Sequence, residues 1–242
     1  MIIIAEKING SIPSVAKAIA ARDEAFLKDL AIRQSEAIGE SEGFIDVCAS
    51  VPPEVEFDTM RWMLDLVQSV TDTPISVDSP NAECLVELLP YVKRPGLVNS
   101  VSGEGNKIDL IFPLLAKPEY KDWQVMALLS DDTGIPKSAA DRLRVFDKIM
   151  AKAKEYGIKP NRIHIDPLVE MLCTSENGLH EEADFAAIGR LIEGARRYFL
   201  QAFTDRDSVP FSGLTAPSRQ EMERFAAAVS PFAETVQIRG MD

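Results

Sequence analysis

The stretch Ile75-Ser-Val-Asp78 is a short, mainly apolar run that ends in a carboxylate. Similar runs recur along the chain, and this repeated pattern decides the fold. Gly96–Asn99 ends in an amide, Arg162–Asp166 ends in another carboxylate, and Phe44–Cys48 carries Asp46. Helical patterns separate these runs, as in folds where strands and helices alternate around a parallel sheet. In a parallel barrel the carboxyl ends of the strands open onto one face. The pattern therefore predicts several polar groups around one pocket.

Apolar runs and helical periodicity divide the chain into elements. The predicted strands are Ile2–Ala5, Phe44–Cys48, Ile75–Asp78, Gly96–Asn99, Trp123–Leu129 and Arg162–Ile165. The predicted helices are Glu24–Ile38, which follows a connector, Glu56–Val70, Ala82–Tyr91, Lys107–Ala116, Ala139–Tyr156, Glu181–Arg197 and Arg219–Val229. Six strand-then-helix units in this order predict a parallel sheet with helices outside it.

We predict an α/β fold of the (βα)8 TIM-barrel type, with one domain over residues 1–242. The alternative is an open doubly wound sheet, which usually carries a glycine-rich first turn, and Ala5–Gly10 has no GxGxxG pattern. Pro210–Leu214 and Tyr198–Phe203 compete as the seventh strand, and Thr235–Arg239 is the candidate eighth. No room remains for an eighth helix, so the C-terminal part is predicted to be irregular or incomplete.

Composition excludes several classes of function. The chain has 242 residues, of which 46% are hydrophobic and 26% charged, as is ordinary for a globular protein. A net charge of −12 makes nucleic acid and anionic membranes poor partners. The apolar runs are too short to cross a bilayer, and the N-terminus lacks the features of a signal peptide.

The cysteines and histidines are sparse. Cys48, Cys84 and Cys173 show no CxxC spacing, so we expect free thiols in a reducing cytoplasm. His164 and His180 have no metal-ligand spacing, and no bound metal is predicted.

Three strand-end residues are the main site candidates. Asp78 could instead cap the following helix, and Asp166, which precedes Pro167, could serve only a turn. Asn99 offers both a donor and an acceptor, which suits the edge of a heterocycle. Two carboxylates and an amide would complement a ring with adjacent N–H and amino donors and a carbonyl acceptor, such as the 2-amino-4-oxo edge of a pterin.

Five segments in a fixed order resemble a known family. They are Ala5–Gly10 (AEKING), Ser76–Asn81 (SVDSPN), Val98–Gly103 (VNSVSG), Thr133–Pro136 (TGIP) and Ile163–Leu168 (IHIDPL). Over about residues 1–175 the chain is similar to methyltetrahydrofolate:corrinoid-protein methyltransferases, pterin-binding (βα)8 barrels related to dihydropteroate synthase. It looks most like members that serve catabolic demethylation.

The resemblance implies a site and a reaction. Asp78, Asn99 and Asp166 would hold the pterin ring as the catalytic residues, and the further substrate-binding positions would be Glu6, Asn9, Asp46, Ser100 and Gly213. The reaction would move a methyl group between N5 of tetrahydrofolate and the cobalt of a corrinoid (cobalamin). The chain lacks the Asp-x-His-x-x-Gly signature of corrinoid-carrying domains, so the cobalt would arrive on a partner protein. Relatives form homodimers, and we expect a homodimer here.

One position departs from the family pattern. The family has Gly-Leu-Ser-Asn at strand seven, with the Asn side chain near N5, whereas the nearest match here is Gly213–Ala216 (GLTA). Ala216 in place of the amide predicts that turnover is impaired. The alternatives are therefore a non-catalytic module that binds folate or docks a corrinoid protein, and a dihydropteroate synthase relative, for which Arg219 and Arg239 lack the expected context.

Overall fold

In the computed structural model, the described residues are 2–168, 182–203 and 216–241. They fall into two compact units, one within residues 1–168 and one within residues 169–242, and each has its own apolar core. That the whole of residues 1–242 forms one domain stays a prediction.

The first unit is built on a six-stranded parallel sheet whose strands lie in chain order. This order is that of a barrel wall, and it differs from a doubly wound sheet, in which the strand order reverses. The strands are β1 (Ile3–Asn9), β2 (Gly43–Cys48), β3 (Ile75–Asp78), β4 (Leu97–Gly103), β5 (Gln124–Asp131) and β6 (Ile163–Asp166).

Six helices connect these strands: α1 (Pro13–Ala20), α2 (Glu24–Ile38), α3 (Pro53–Gln68), α4 (Ala82–Leu88), α5 (Lys107–Leu115) and α6 (Ala139–Glu155). Short polar residues begin three of them, because their side chains accept from otherwise unpaired N–H groups of the first turn. Asp23 caps α2, Asn81 caps α4 and Ser138 caps α6. Asn81, not Asp78, therefore caps the helix after β3.

The predicted ends of β1 and β4 differ most from the structure. β1 extends four residues beyond the predicted Ala5, and β4 extends four beyond Asn99. Polar residues interrupt the apolar pattern there, so the sequence does not show that each strand continues to further buried residues, such as Ile8 and Val101. The predicted connector after β1 contains α1, which begins at Pro13, a favourable first position of a helix.

The core of the first unit lies between the helices and the outer face of the sheet. Ile45, Val47 and Val77 on the strands are fully buried, as are Leu64 and Leu85 on the helices. Residues paired across neighbouring parallel strands lie on the same face, so Asp46, Ser76, Asp78 and Asn99 occupy the opposite, inner face. The apolar residues thus fix the sheet and leave a polar inner face.

The second unit contains α7 (Glu182–Leu191), β7 (Tyr198–Gln201), α8 (Arg219–Val229) and β8 (Val236–Arg239), with β7 and β8 paired in parallel. Phe185 and Phe225 stack in its core with ring centres 4.4 Å apart. Ser218 caps α8, and Glu221 completes a capping box with it. The predicted helix through Arg197 ends at Leu191, and β7 matches one of the two candidates for strand seven. The other candidate, Pro210–Leu214, lies outside the described residues.

Within the described ranges, no helix has the length and apolarity that a bilayer crossing requires. Cys48 and Cys84 are free and buried, and Cys173 lies outside these ranges.

Candidate functional site

Three polar side chains from neighbouring strands meet on the inner face of the sheet. Oδ1 of Asp46 on β2 accepts a hydrogen bond from the Ser76 hydroxyl at 2.5 Å and from Nδ2 of Asn99 at 3.2 Å. Asp46 is 2% exposed and Ser76 is fully buried. The parallel register aligns Asp46 with Ser76 and Asp78 with Asn99, and this alignment brings the three side chains into contact.

Asp78 lies beside this group at the end of β3. The Cys48 thiol donates a hydrogen bond to the Asp78 carboxylate, and Glu56 on α3 is close enough to repel it. Glu56 is itself buried and accepts from the Ser79 hydroxyl at 2.6 Å. The carboxyl end of β3 is therefore held between a thiol donor and a second carboxylate.

The electrostatics of this group are unusual, because its carboxylates have no cation beside them among the described residues. Burial, together with the charges of Asp78 and Glu6, raises the pKa of Asp46 to about 7, and the hydrogen bonds from Ser76 and Asn99 oppose this rise. Burial also raises the pKa of Asp78, with Glu6 and Glu56 adding repulsion. Burial raises the pKa of Cys48 to about 12, so this thiol acts as a donor rather than a nucleophile. Such shifted groups cluster at functional sites.

The end of β1 lies beside the polar group formed by Asp46, Asp78 and Asn99. Glu6 lies in the register shift between Ala5 and Ile8, where it is exposed. Oδ1 of Asn9 accepts from the backbone N–H of Ser11 at 2.8 Å, which makes Asn9 a turn residue in this structure. Gly10 approaches β2 so closely that a Cβ atom would lie 1.9 Å from the Ala49 carbonyl oxygen. A side chain at position 10 would therefore push the two strand ends apart.

The remaining predicted residues are placed differently. Ser100 is partly buried at the register shift of β4, next to Asn99. Asp166 ends β6, where its Oδ1 accepts from the Leu168 N–H at 2.8 Å, and among the described residues it bonds to neither Asp78 nor Asn99. Gly213 lies outside the described residues, and Ala216 is exposed in the second unit.

A second acidic group lies further along the same sheet edge, at the end of β5. Asp131 is buried and accepts from Arg144 at 2.6 Å and from the Thr133 hydroxyl at 2.6 Å. These hydrogen bonds and the guanidinium charge hold the pKa of Asp131 well below its usual range. Lys148 on α6 donates to the Gly103 carbonyl at 2.7 Å, which joins β4 to the same helix. The Asp131 carboxylate thus has hydrogen-bond partners for both of its oxygens, and these bonds stabilise the loop that follows β5.

A cavity of the first unit lies at the opposite edge of the sheet. It has a volume of about 440 Å³, and its lining includes Gly43, Phe44, Pro74, Gly96 and Gln124 near the amino ends of β2 to β5. In barrels this edge serves stability, whereas ligands bind at the carboxyl ends. The cavity therefore carries no part of the candidate site.

In the described parts of the chain, no three side chains of His, Cys, Asp or Glu are placed to hold a metal ion.

Sequence reasoning missed Ser76, Glu56 and the interaction of Cys48 with Asp78. Ser76 and Cys48 each stand two residues from a predicted site carboxylate on the same strand, so alternation along the strand could have placed them on its inner face. Glu56 lies on a helix, and its approach to the site has no such signal in the sequence.

The arrangement can bind a ligand that supplies hydrogen-bond donors. Asp78, Asp46 and the carbonyl oxygen of Asn99 offer acceptor atoms at the same strand ends, and the pKa of Asp46, raised to about 7, also permits proton exchange near neutral pH. Buried carboxylates without a cation are costly, and a donor-rich ring would relieve that cost.

Comparison with known proteins shows which family and which solved structures this chain resembles. Residues 43–236 match the family described as pterin binding enzymes. The chain is 45% identical over 199 residues to the methylcorrinoid:tetrahydrofolate methyltransferase of Eubacterium limosum, covering 82% of this chain and 70% of that protein. Among solved structures, dihydropteroate synthase from Xanthomonas albilineans in complex with 7,8-dihydropteroate has a TM-score of 0.50 at 17% identity, covering 99% of this chain and 87% of that one.

The structural likeness confirms the predicted fold class of a TIM barrel with an incomplete C-terminal part, and the sequence relative confirms the predicted resemblance. The family match spans most of the chain, from the first residue of β2 to the first residue of β8. The chain therefore belongs to the family of pterin binding enzymes.

Proposed function

We propose that this chain is a methyltransferase that moves a methyl group between N5 of tetrahydrofolate and the cobalt of a corrinoid carried by a separate protein. The observation that carries the proposal is the acceptor-rich group of Asp46, Asp78 and Asn99 at the carboxyl ends of β2 to β4, in a chain of the pterin binding family. The relative at 45% identity supports it, because that protein is named for this exchange.

In this proposal the polar group holds the ring and leaves the reacting nitrogen accessible. Asp78 and Asn99 accept from and donate to the pterin edge, and Asp166 contributes from β6. Each charge-assisted hydrogen bond in such a sheltered site is worth about 1.5–3 kcal/mol. Binding energy from the ring thereby orients N5 toward the incoming corrinoid.

The transfer is an in-line displacement at the methyl carbon. When tetrahydrofolate is the acceptor, the N5 lone pair bonds to the carbon while the cobalt–carbon bond breaks. The electron pair stays on the metal as cobalt(I), and N5 loses its proton. In the opposite direction cobalt(I) attacks, and N5 takes up a proton as its bond to carbon breaks. Asp46, whose pKa is raised to about 7, exchanges a proton near neutral pH and can assist either direction.

The test is an assay of methyl exchange between methylcob(III)alamin and tetrahydrofolate under anaerobic conditions. We expect cob(I)alamin, seen by its absorbance, and methyltetrahydrofolate in equal amounts. Calorimetry on the same sample should show tetrahydrofolate binding with a dissociation constant that is roughly micromolar or weaker. Absence of binding heat, with an active relative as the control, would remove the proposal. Release of pyrophosphate from a pterin pyrophosphate and an arylamine would instead identify a dihydropteroate synthase activity.

A second candidate is a folate-binding module without turnover, and Ala216 favours it. The segment that best matches the family's strand-seven motif, Gly213–Ala216, has Ala216 in place of the amide, although it follows β7 (Tyr198–Gln201) in the chain. Tetrahydrofolate binding without methyl exchange would select this candidate. The variant Ala216→Asn should then raise turnover while leaving the binding constant unchanged.

The corrinoid protein and a second copy of this chain are the proposed partners. Light scattering after size exclusion would show a mass of twice 26.7 kDa for a homodimer.

A further inference from the structure

The two carboxylate oxygens of Asp46 differ in their hydrogen bonds. Both donors reach the same oxygen, since the Ser76 hydroxyl and Nδ2 of Asn99 donate to Oδ1. The other oxygen, Oδ2, has no hydrogen-bond donor beside it among the described residues, and it is not one of their fully enclosed unpaired atoms. Oδ2 is therefore accessible to a proton or to a ligand.

The orientation of Asn99 depends on which oxygen of Asp46 carries a proton. Asp46 titrates near neutral pH because it is buried and faces Asp78 and Glu6, while Ser76 and Asn99 oppose the shift. A proton on Oδ1 would turn that atom into a donor, and the Asn99 amide would then rotate to present its carbonyl oxygen to Asp46. A rotated amide would present N–H groups, not an acceptor, to a ligand.

The Ser76 hydroxyl prevents this rotation. It donates to Oδ1 at 2.5 Å, so a proton added to Asp46 is directed to the open oxygen Oδ2. We propose that Ser76 is a positioning residue whose hydroxyl keeps Oδ1 of Asp46 an acceptor and so holds Asn99 with its carbonyl oxygen toward the ligand. This inference rests on the proposed function, since it states how the same site selects its ring.

The fixed amide defines the edge of the ligand that this end of the site accepts. With its Nδ2 used by Asp46, Asn99 offers its carbonyl oxygen, and Asp78 offers carboxylate oxygens one strand away. Two neighbouring acceptors select a ring edge with adjacent N–H or amino donors. A ring that carries carbonyl groups at both places would face acceptors with acceptors and be rejected.

The first test is a double-mutant cycle measured by calorimetry with tetrahydrofolate. We expect Ser76→Ala to weaken binding about ten-fold in the wild-type background. In the Asn99→Ala background the same change should weaken binding less than about two-fold, because Ser76 acts through Asn99. Ser35→Ala is the matched control for a lost hydroxyl, since Ser35 bonds to Thr73 at 2.7 Å. Equal losses from Ser76→Ala in both backgrounds would overturn the proposal.

The second test needs no ligand. In nuclear magnetic resonance spectra, the Asn99 side-chain amide is assigned as the signal lost in Asn99→Ala. We expect its hydrogens to exchange slowly at pH 6 and pH 8 in the wild type and in Ser35→Ala. In Ser76→Ala they should exchange at least about ten-fold faster at pH 6, where Asp46 is protonated. Unchanged exchange in Ser76→Ala would refute the positioning role.

The two tests distinguish a failure of the proposed function from a failure of the positioning role of Ser76. A wild-type protein that binds no tetrahydrofolate contradicts the proposed function, and the amide exchange still decides the role of Ser76. A wild-type protein that binds, with no coupling in the cycle and no change in exchange, contradicts only the positioning role.

Discussion

Asp46 and Asp131 are both buried aspartates on one sheet, but their surroundings differ. Asp131 has Arg144 and Thr133 as partners, which hold its pKa below the usual range. Asp46 has neutral donors and the repulsion of Asp78 and Glu6, and its pKa is raised to about 7. Among the described residues, a cation lies beside the Asp131 carboxylate and none lies beside that of Asp46.

The difference separates a structural group from a binding group. A paired carboxylate is satisfied by the fold and can do no more than hold its loop. An unpaired group costs stability, and the cost is offset only if a ligand supplies the missing donors. The ends of β2 to β4 are therefore the candidate site, and the end of β5 supports it.

The largest expected effect is on ligand binding at the unpaired group. Asp78→Ala should weaken tetrahydrofolate binding by about 1.5–3 kcal/mol, because donors of the ring lose their acceptor. It should not lower the melting temperature at pH 8, since it also removes repulsion with Glu6 and Glu56. Calorimetry and thermal denaturation measure the two quantities. Unchanged affinity would argue against the assigned site.

The second effect is on the pH dependence of stability. The pKa of Asp46 is raised from 3.8 to about 7 in the folded chain, so its protonated form is favoured by folding. Its contribution is fully present below the unfolded pKa and is lost as pH rises through about 7. Relative to wild type, Asp46→Asn should therefore gain stability from pH 5 to pH 8, by on the order of 2 kcal/mol.

Urea denaturation at pH 5, 6, 7 and 8 measures this gain. Asp131→Asn is the matched control, because the lowered pKa of Asp131 keeps it ionised in both the folded and the unfolded chain from pH 5 to pH 8, so its stability relative to wild type should stay constant over this range. Parallel curves for wild type and Asp46→Asn over this range would mean that Asp46 does not titrate there.

A smaller loss of affinity for tetrahydrofolate is expected when Asp166 is changed. One of its oxygens serves the turn to Leu168, so we expect Asp166→Ala to weaken tetrahydrofolate binding by about 1 kcal/mol, less than Asp78→Ala. Asp166→Asn keeps an acceptor for the turn and should lose only the charge. If both variants bind as the wild type does, Asp166 is a turn residue alone.

The smallest effect on binding is expected at the paired group. Arg144→Ala leaves the Asp131 carboxylate without its cation and should lower the melting temperature by a few degrees, with affinity for tetrahydrofolate unchanged. A large loss of affinity in this variant would show that the two acidic groups are not independent. The comparison between them would then fail.

The sequence by itself determined the alternation of strands and helices, because apolar periodicity reflects which faces are buried. It placed β3 and α8 at their observed residues and located Asp78 and Asn99 at strand ends. It also predicted the family, through five ordered segments that resemble it. It did not show α1, or how far β1 and β4 continue through polar residues.

Only the tertiary structure decided which polar groups meet. The parallel register aligns Asp46 with Ser76 and Asp78 with Asn99, so residues 30 and 53 positions from Asp46 bond to one of its oxygens. It placed Arg144 of α6 beside Asp131, and in the parts of the chain that the structure describes it placed no cation beside Asp46. Periodicity reports burial along one segment, whereas pKa and pairing depend on charges that other segments bring within a few ångströms.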